Sequence, residues 1–383
     1  MTEAKTNAGV TVREVTAKRD LRRFVDYPNK LYRDVPQFVP AFYGDDMEDW
    51  NPKKNPAFSY CEAKCWLAWR DGEIVGRIGA ILSHKANETW HTNRMRFTQV
   101  DFIDDPAVSD ALFAAVEAFA KEKGCDQIHG PLGFCDLDRE GMLVDGFDRR
   151  GQFITYYNHP YYNDHLTRLG YRKDTDWVEY KIIAPTPDSE QGVKLHRIAE
   201  HVMRRKNLHV ADVTSQRQYK ALLPAFFDLV NRAYAPLYGV VELNEQQIAK
   251  YSKKFAPLIT PELAAFVMDE NETMVGMGVA APSVASAMQA CRGHLFPVGW
   301  IGVLHALKTD KAADMFLTAV TPELQGIGVN AIILDHLIRG GYSRGITYAE
   351  TGPQLETNSK ILNQWKMFDK ELHKRRRCYI KDI

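Results

Sequence analysis

The chain has 383 residues, 45% hydrophobic and 26% charged, the composition of a globular protein with room for two domains of ordinary size. Lys plus Arg equals Asp plus Glu at 49 each, so there is no global basic field to attract nucleic acid. No run of about 18 apolar residues exists, and the N-terminal MTEAKTNAGVTVREV lacks the apolar core of a secretory signal, so a cytoplasmic protein without a spanning helix is expected. Cys61, Cys65, Cys125, Cys135, Cys291 and Cys378 are scattered, complete no metal-ligand spacing and read as reduced thiols filling structure. The basic run Lys374, Arg375, Arg376, Arg377 reads as a solvated approach to a strand.

Taken in chain order, residues 65–70 and 74–82 flank Asp71 and Gly72, which predicts a tight hairpin. A strand over 97–102, a helix over 108–123, a short strand over 127–130, a helix over 161–169 ended by Gly170, and a closing strand over 177–183 follow. Residues 184–192, APTPDSEQG, read as a linker. Beyond it, helices are predicted over 220–235 and 244–255, and a hairpin over 264–269 and 274–281 around ENET. A strand over 315–320, a helix over 331–339, a strand over 347–351, a helix over 358–368 and a strand over 378–381 complete the chain. Each half reads α–β–β–β–α–β–α–β. The expected fold is α/β (an α+β mixed sheet) in two tandem domains, 1–184 and 193–383.

Residues 314–339 are the richest in chemistry. Gln325, Gly326, Ile327, Gly328, Val329 and Asn330 lie where strand gives way to helix. Glycines there let a ligand approach the backbone, and the first-turn N–H groups and helix dipole favour an anion such as a diphosphate. In the first half the same position reads IDDPAVSDALF, with no glycine loop and with Asp104 and Asp105 set to repel phosphate. Asp136, Asp138 and Glu140 suit a cationic amine, a metal or simply a solvated turn. Tyr156, Tyr157, Tyr161 and Tyr162 suit a cleft wall or core packing equally. His294 and His305 flank an apolar stretch, HLFPVGWIGVLHAL (294–307), which reads as an added core helix, a wall for a long acyl chain, or a peripheral membrane contact.

At Val320-Thr321-Pro322-Glu323-Leu324-Gln325-Gly326-Ile327-Gly328-Val329-Asn330 the chain resembles the GNAT superfamily of acyl-CoA-dependent N-acyltransferases. Glu356-Thr357-Asn358 opening a helix, and Asn158-His159-Pro160 through Leu169-Gly170-Tyr171 in the first half, extend the resemblance over nearly the whole chain as two copies, as in large two-copy bacterial GNAT-like proteins. The resemblance implies acetyl-CoA or acyl-CoA as co-substrate and no metal. It implies direct attack of a primary amine, on a small molecule or a lipid, on the thioester. It places the donor on the backbone of Leu317, Thr318, Ala319 and Val320, on the loop Gln325–Asn330, and at Asn358. Glu350 on the following strand suits the general base, and Tyr379 is a substitute general acid, because Trp365 stands where family members carry a tyrosine. Glu356 reads as a helix-start carboxylate. Asn330 departs from the family's Gly or Ala. Transfer of a long acyl chain to a sphingoid-type amino-lipid, transfer from charged tRNA, and a non-catalytic acyl-CoA sensor are the competing expectations; neutral charge disfavours the tRNA case.

Overall fold

A computed structural model describes Ala4–Lys5 and residues 9–383. Its main elements in chain order are α1 (Lys18–Leu31), β1 (Cys61–Arg70), β2 (Glu73–Ser83), β3 (Arg94–Phe102), α2 (Pro106–Glu122), β4 (Gln127–Gly130), α3 (Tyr161–Arg168) and β5 (Arg172–Ile183). There follow α4 (Glu190–Lys206), α5 (Gln216–Tyr234), α6 (Glu245–Phe255), β6 (Ala264–Met268), β7 (Met274–Pro282), α7 (Gly299–Thr309), β8 (Ala312–Val320), α8 (Val329–Ser343), β9 (Tyr348–Thr351), α9 (Ser359–Gln364) and β10 (Lys370–Asp382). Among the described residues no helix is long and apolar enough to cross a membrane.

The chain forms two compact units, and their division is not the expected cut at 184–192. Unit 1 holds Met1–Trp177, Ala285–Gly302 and Lys374–Ile383; unit 2 holds Val178–Val284 and Val303–His373. The physical reason is the source of each closing strand. In unit 1, β10 pairs antiparallel with β4, Tyr379 opposite Gly130. In unit 2, β5 pairs antiparallel with β9, Ile183 opposite Tyr348. Each unit therefore draws its last strand from the other half of the sequence.

The repeat is otherwise as expected. In unit 1, β1–β2–β3 are antiparallel neighbours and β3 runs parallel to β4. In unit 2, β6–β7–β8 are antiparallel neighbours and β8 runs parallel to β9. The β1–β2 turn has Asp71 at φ 50° and Gly72 at φ 82°, the left-handed pair a two-residue hairpin needs. Helix α2 buries Val108, Leu112, Phe113, Val116 and Phe119 in the unit 1 core with Phe97 and Phe102. Deleting one such aromatic side chain would cost about 3–5 kcal/mol. In unit 2 a Cβ on Gly278 would sit 2.3 Å from Ile333, so a bare strand position lets α8 close onto the sheet. Helix α4 begins inside the predicted linker, because the Ser189 side chain accepts from the Gly192 N–H (3.1 Å) and caps it.

The basic run on β10 is not solvated. Lys374 and Arg376 are each 1% exposed; Lys374 donates to the Arg150 carbonyl (3.0 Å) and Arg376 to that of Tyr156. Arg375 and Arg377 point the other way and pair with Asp176 at 3.2 and 2.8 Å. Period-two alternation on a strand separates the four charges onto two faces: Lys374 and Arg376 meet main-chain carbonyls, and Arg375 and Arg377 meet a carboxylate, all within unit 1.

Candidate active site in unit 2

Strand β8 keeps two partners for only part of its length. It pairs with β9 from Ala312 to Met315, opposite Thr351, and the Gly352 N–H then donates to the Met315 carbonyl (3.1 Å). On its other edge it continues with β7 to Val320. The register changes between Val279, opposite Leu317, and Ala280, opposite Met315, so Phe316 is the extra residue of a β-bulge. The Thr321 N–H bonds to the Val275 carbonyl, which fixes Ala319 and Leu317 as residues bonded towards β7. The main-chain groups of Thr318 and Val320 consequently face the side that β9 has left. Of the four backbone positions expected to meet a donor, Thr318 and Val320 present that edge, while Leu317 and Ala319 bond towards β7. Tyr234 of α5 donates its hydroxyl to the Thr318 carbonyl (3.0 Å), and Gln325 donates to that of Val320 (3.1 Å).

At the end of β8 the loop turns through Pro322–Leu324 and enters α8 at Gly328. Gly326 and Gly328 have φ of 81° and 101°, left-handed conformations that disfavour a side chain. Gly328 is the N-cap and brings no side chain; the Ala331 N–H donates to the Gly328 carbonyl (2.9 Å), which leaves the Val329 and Asn330 N–H groups to face a ligand. Val329 is 1% exposed and locked into the core, so only its backbone can take part. Ile327 is exposed and Asn330 half-buried. Lys360, in the first turn of α9, donates to Gln325 Oε1 (2.8 Å) and sets a cation beside the loop. A lysine there opposes the dipole of its own helix, a local misfit that the sequence carried and that points to function. Thr321 donates to the Glu323 carboxylate, which lies below the usual range for that reason.

Unit 1 repeats the geometry and closes it. Strand β3 also bulges, with Gln99 at φ 42° between Thr98, opposite Gly79, and Asp101, opposite Arg77. It also outruns its parallel partner, which ends at Arg96 opposite His129. Here, however, the Tyr162 hydroxyl accepts from the Phe102 N–H (2.8 Å) and the Tyr161 hydroxyl donates to the Phe102 carbonyl (2.6 Å). Helix α2 is capped by Asp105, which accepts from the Ala107 N–H (2.8 Å) and pairs with Arg70 (2.6 Å). Its own carboxylate occupies the position an anion would take.

The residues expected around the chemistry divide between the units. Glu350 on β9 is register neighbour to Asp314 on β8, and its carboxylate lies 3.9 Å from Nε2 of His373, a residue that no motif singles out. Glu350 keeps 14% of its side-chain exposure; His373 keeps 4%. Asn358 accepts from the Ile361 N–H (3.4 Å) and serves as the N-cap of α9. Trp365 is 1% exposed and donates to Gln354 (2.8 Å), so it is a core residue and holds no place in proton transfer. Tyr379 belongs to unit 1, where its hydroxyl donates to Asn163 (2.8 Å) and burial raises its pKa. His294 stacks on Tyr43 (4.2 Å) in unit 1, and His305 is an exposed residue of α7.

The unit 1 carboxylates form a built turn. Asp138 accepts from the N–H groups of Phe134 (2.9 Å) and Cys135 (3.3 Å). Arg139 grips Asp46 at 2.6 and 2.7 Å and lies over Tyr156. Burial pushes Asp136 up to about 6 against the pull of Arg96, and burial with Asp136 raises Glu140 well above its usual range. A carboxyl raised on folding binds more protons folded than unfolded, so this turn loses stability as pH rises from about 4 to about 6. Asp136→Asn should therefore melt about 2 °C or more above the parent at pH 8, with the gap narrowing at pH 4. An equal or lower melting point at pH 8 would refute that assignment. Elsewhere in unit 1, His129, Asp174 and Cys378 bring potential ligand atoms within 4.8 Å of one another, but Arg94 already contacts Asp174 at 3.4 Å.

No family model matches the chain. It is 29% identical over 382 residues to Protein YghO of Escherichia coli (strain K12), covering 97% of this chain and 95% of that one. It is 27% identical over 327 residues to the bacterial ceramide synthase of Caulobacter vibrioides (strain NA1000 / CB15N), covering 84% and 83%. Among solved structures, a tandem GNAT protein from the clavulanic acid biosynthesis pathway superposes with a TM-score of 0.54 at 10% identity, covering 97% of this chain and 98% of that one. A GCN5-related N-acetyltransferase from Sphaerobacter thermophilus gives 0.51 at 11% identity, covering 99% and 97%. With the bulged, splayed strand present in both units, the chain has the fold of that tandem GNAT protein and of the GCN5-related N-acetyltransferase.

Proposed function

We propose that the protein is an N-acyltransferase that takes its acyl group from acyl-CoA at unit 2 and passes it to the amine of a lipid-like acceptor. One observation carries this reading. Only in unit 2 does the splayed strand lead to a helix N-terminus without a side-chain cap, with Lys360 beside it. The diphosphate of the donor would take the Val329 and Asn330 N–H groups at the start of α8, and the pantetheine carbonyls the N–H groups of Thr318 and Val320, whose own carbonyls Tyr234 and Gln325 hold. The relative named a bacterial ceramide synthase favours a long-chain amine over a small one.

The residues then divide the work. The Thr318 N–H, on the open edge, polarises the thioester carbonyl. Glu350, directly or through water, accepts the proton that the amine loses as its C–N bond forms. Tyr234, whose hydroxyl lies on the same edge, replaces Tyr379 as proton source for the sulfur as the C–S bond breaks. Placement on the fold supports these roles.

Thermal unfolding with CoA, acetyl-CoA and palmitoyl-CoA tests the donor site. A donor present at about 100 times its Kd stabilises by about 2.7 kcal/mol, which raises the melting point by several degrees. The shift should be larger with palmitoyl-CoA than with acetyl-CoA. No shift with any of the three refutes the donor site. Thiol release with a long-chain amino alcohol, and its absence with a short polar amine, tests the acceptor.

A further inference from the structure

We propose that the segment around residues 296–304 docks the protein onto an anionic lipid surface. Phe296 is 82% exposed, Val298 66%, Trp300 43%, Ile301 53% and Leu304 49%. Five large apolar side chains within nine residues form a patch, whereas scattered exposed leucines would need no account. On α7 the residues Val303 and Leu307 are buried, so this helix already spends one face on the interior and offers a second apolar face outward. A surface helix with no partner ordinarily carries polar residues there.

The base of the segment is held firmly within unit 1. The Tyr43 N–H donates to the Gly293 carbonyl (2.9 Å), Asn29 to that of Arg292 (3.1 Å), and Gln289 to those of Pro36 and Phe38 (2.7 and 2.9 Å). The indole of Trp300 is fixed by its bond to the Pro297 carbonyl (3.0 Å). The tip is thus presented rather than tucked away.

Charge decides the occupant. Residues 273–309 contain no Asp or Glu, although the whole chain balances 49 acids against 49 bases. Exposed Arg292 and Lys308 flank the patch, and Lys311 follows. Acids near this region are Asp310, which follows α7, Asp26, which lies 3.3 Å from His294 at the base, and Asp34, which lines one groove with Arg292 and is matched there by Arg33. An apolar tip with aromatic side chains and a cationic rim matches an anionic bilayer interface. Helix α7 has 11 residues, about 16 Å, against a hydrocarbon core of about 30 Å, so it lies in the interface and does not span. This inference does not rest on the acyltransferase reading.

Co-sedimentation of the full chain with vesicles tests it. Vesicles of phosphatidylcholine with phosphatidylglycerol should bind about tenfold more protein than phosphatidylcholine alone, and salt at about 0.5 M should remove most of the difference. Phe296→Ser combined with Trp300→Ser should lower binding by about tenfold or more, with the melting point unchanged. Arg292→Glu combined with Lys308→Glu should abolish the preference for the anionic vesicle. Failure of the parent to sediment with either vesicle overturns the proposal. So does a parent dimer in ultracentrifugation that the Phe296 and Trp300 changes convert to monomer, because the patch then belongs to a second copy. Equal, salt-insensitive binding to both vesicles overturns the anionic specificity.

Discussion

Asn330→Asp is expected to weaken acyl-CoA binding by about tenfold or more while leaving the melting point unchanged or slightly higher. The two effects have opposite sign because they share one cause. Asn330 is the second residue of α8, whose N-cap, Gly328, supplies no side chain. A carboxylate in that first turn interacts favourably with the dipole, by about 0.3–1 kcal/mol. The diphosphate of a donor would occupy the same N–H groups and meet the new charge at short range. Repulsion between unit charges about 5 Å apart at an effective dielectric of 20 is about 3 kcal/mol, more than the 1.4 kcal/mol of a tenfold loss. Isothermal titration with CoA, beside a melting curve, reads both. Unchanged affinity in a folded variant would remove the anion from this helix end. Gly328→Ala is a poorer probe: φ is 101° and the new Cβ would lie 2.9 Å from Val202, so lost binding would be confounded with strain.

What the sequence disclosed, it disclosed through local signals. Asp71 and Gly72 specify their turn whatever surrounds them, and the glycines at 326 and 328 mark a left-handed loop before an apolar helix. The duplication was visible because each copy repeats hairpin, strand, helix and strand in one order. The exchanged closing strands were not, because antiparallel pairing of β10 with β4 joins residues some 250 apart and leaves no trace in either segment. The same limit hid the fate of the basic run at 374–377, whose partners Arg150, Tyr156 and Asp176 are distant in sequence. In the site, the glycine loop was legible but its supporting cast was not. Tyr234 and His373 enter from an α-helix and a strand end with no motif around them. Asn358 matched a family pattern, and its carboxamide caps its own helix. Lys360 was readable in principle, as a cation at the wrong end of a helix.

Glu350→Gln should lower kcat by about 100-fold to 1000-fold and leave the acyl-CoA thermal shift intact. Glutamine keeps the size of the side chain and its ability to accept hydrogen bonds, so packing on β9 survives, but it cannot take a proton from the attacking amine. Loss confined to kcat would mark a group needed only in the transition state. His373, 3.9 Å from the Glu350 carboxylate and nearly excluded from solvent, is placed to orient it. His373→Gln should accordingly cost less, about tenfold in kcat with KM unchanged. The double variant Glu350→Gln, His373→Gln should be no slower than Glu350→Gln alone, since a positioning residue has nothing left to position. Additive losses would mean that His373 acts on its own. Full activity in Glu350→Gln would remove that carboxylate from the chemistry and turn attention to Asp314, its buried register neighbour on β8 and another titratable group on the same stretch of sheet.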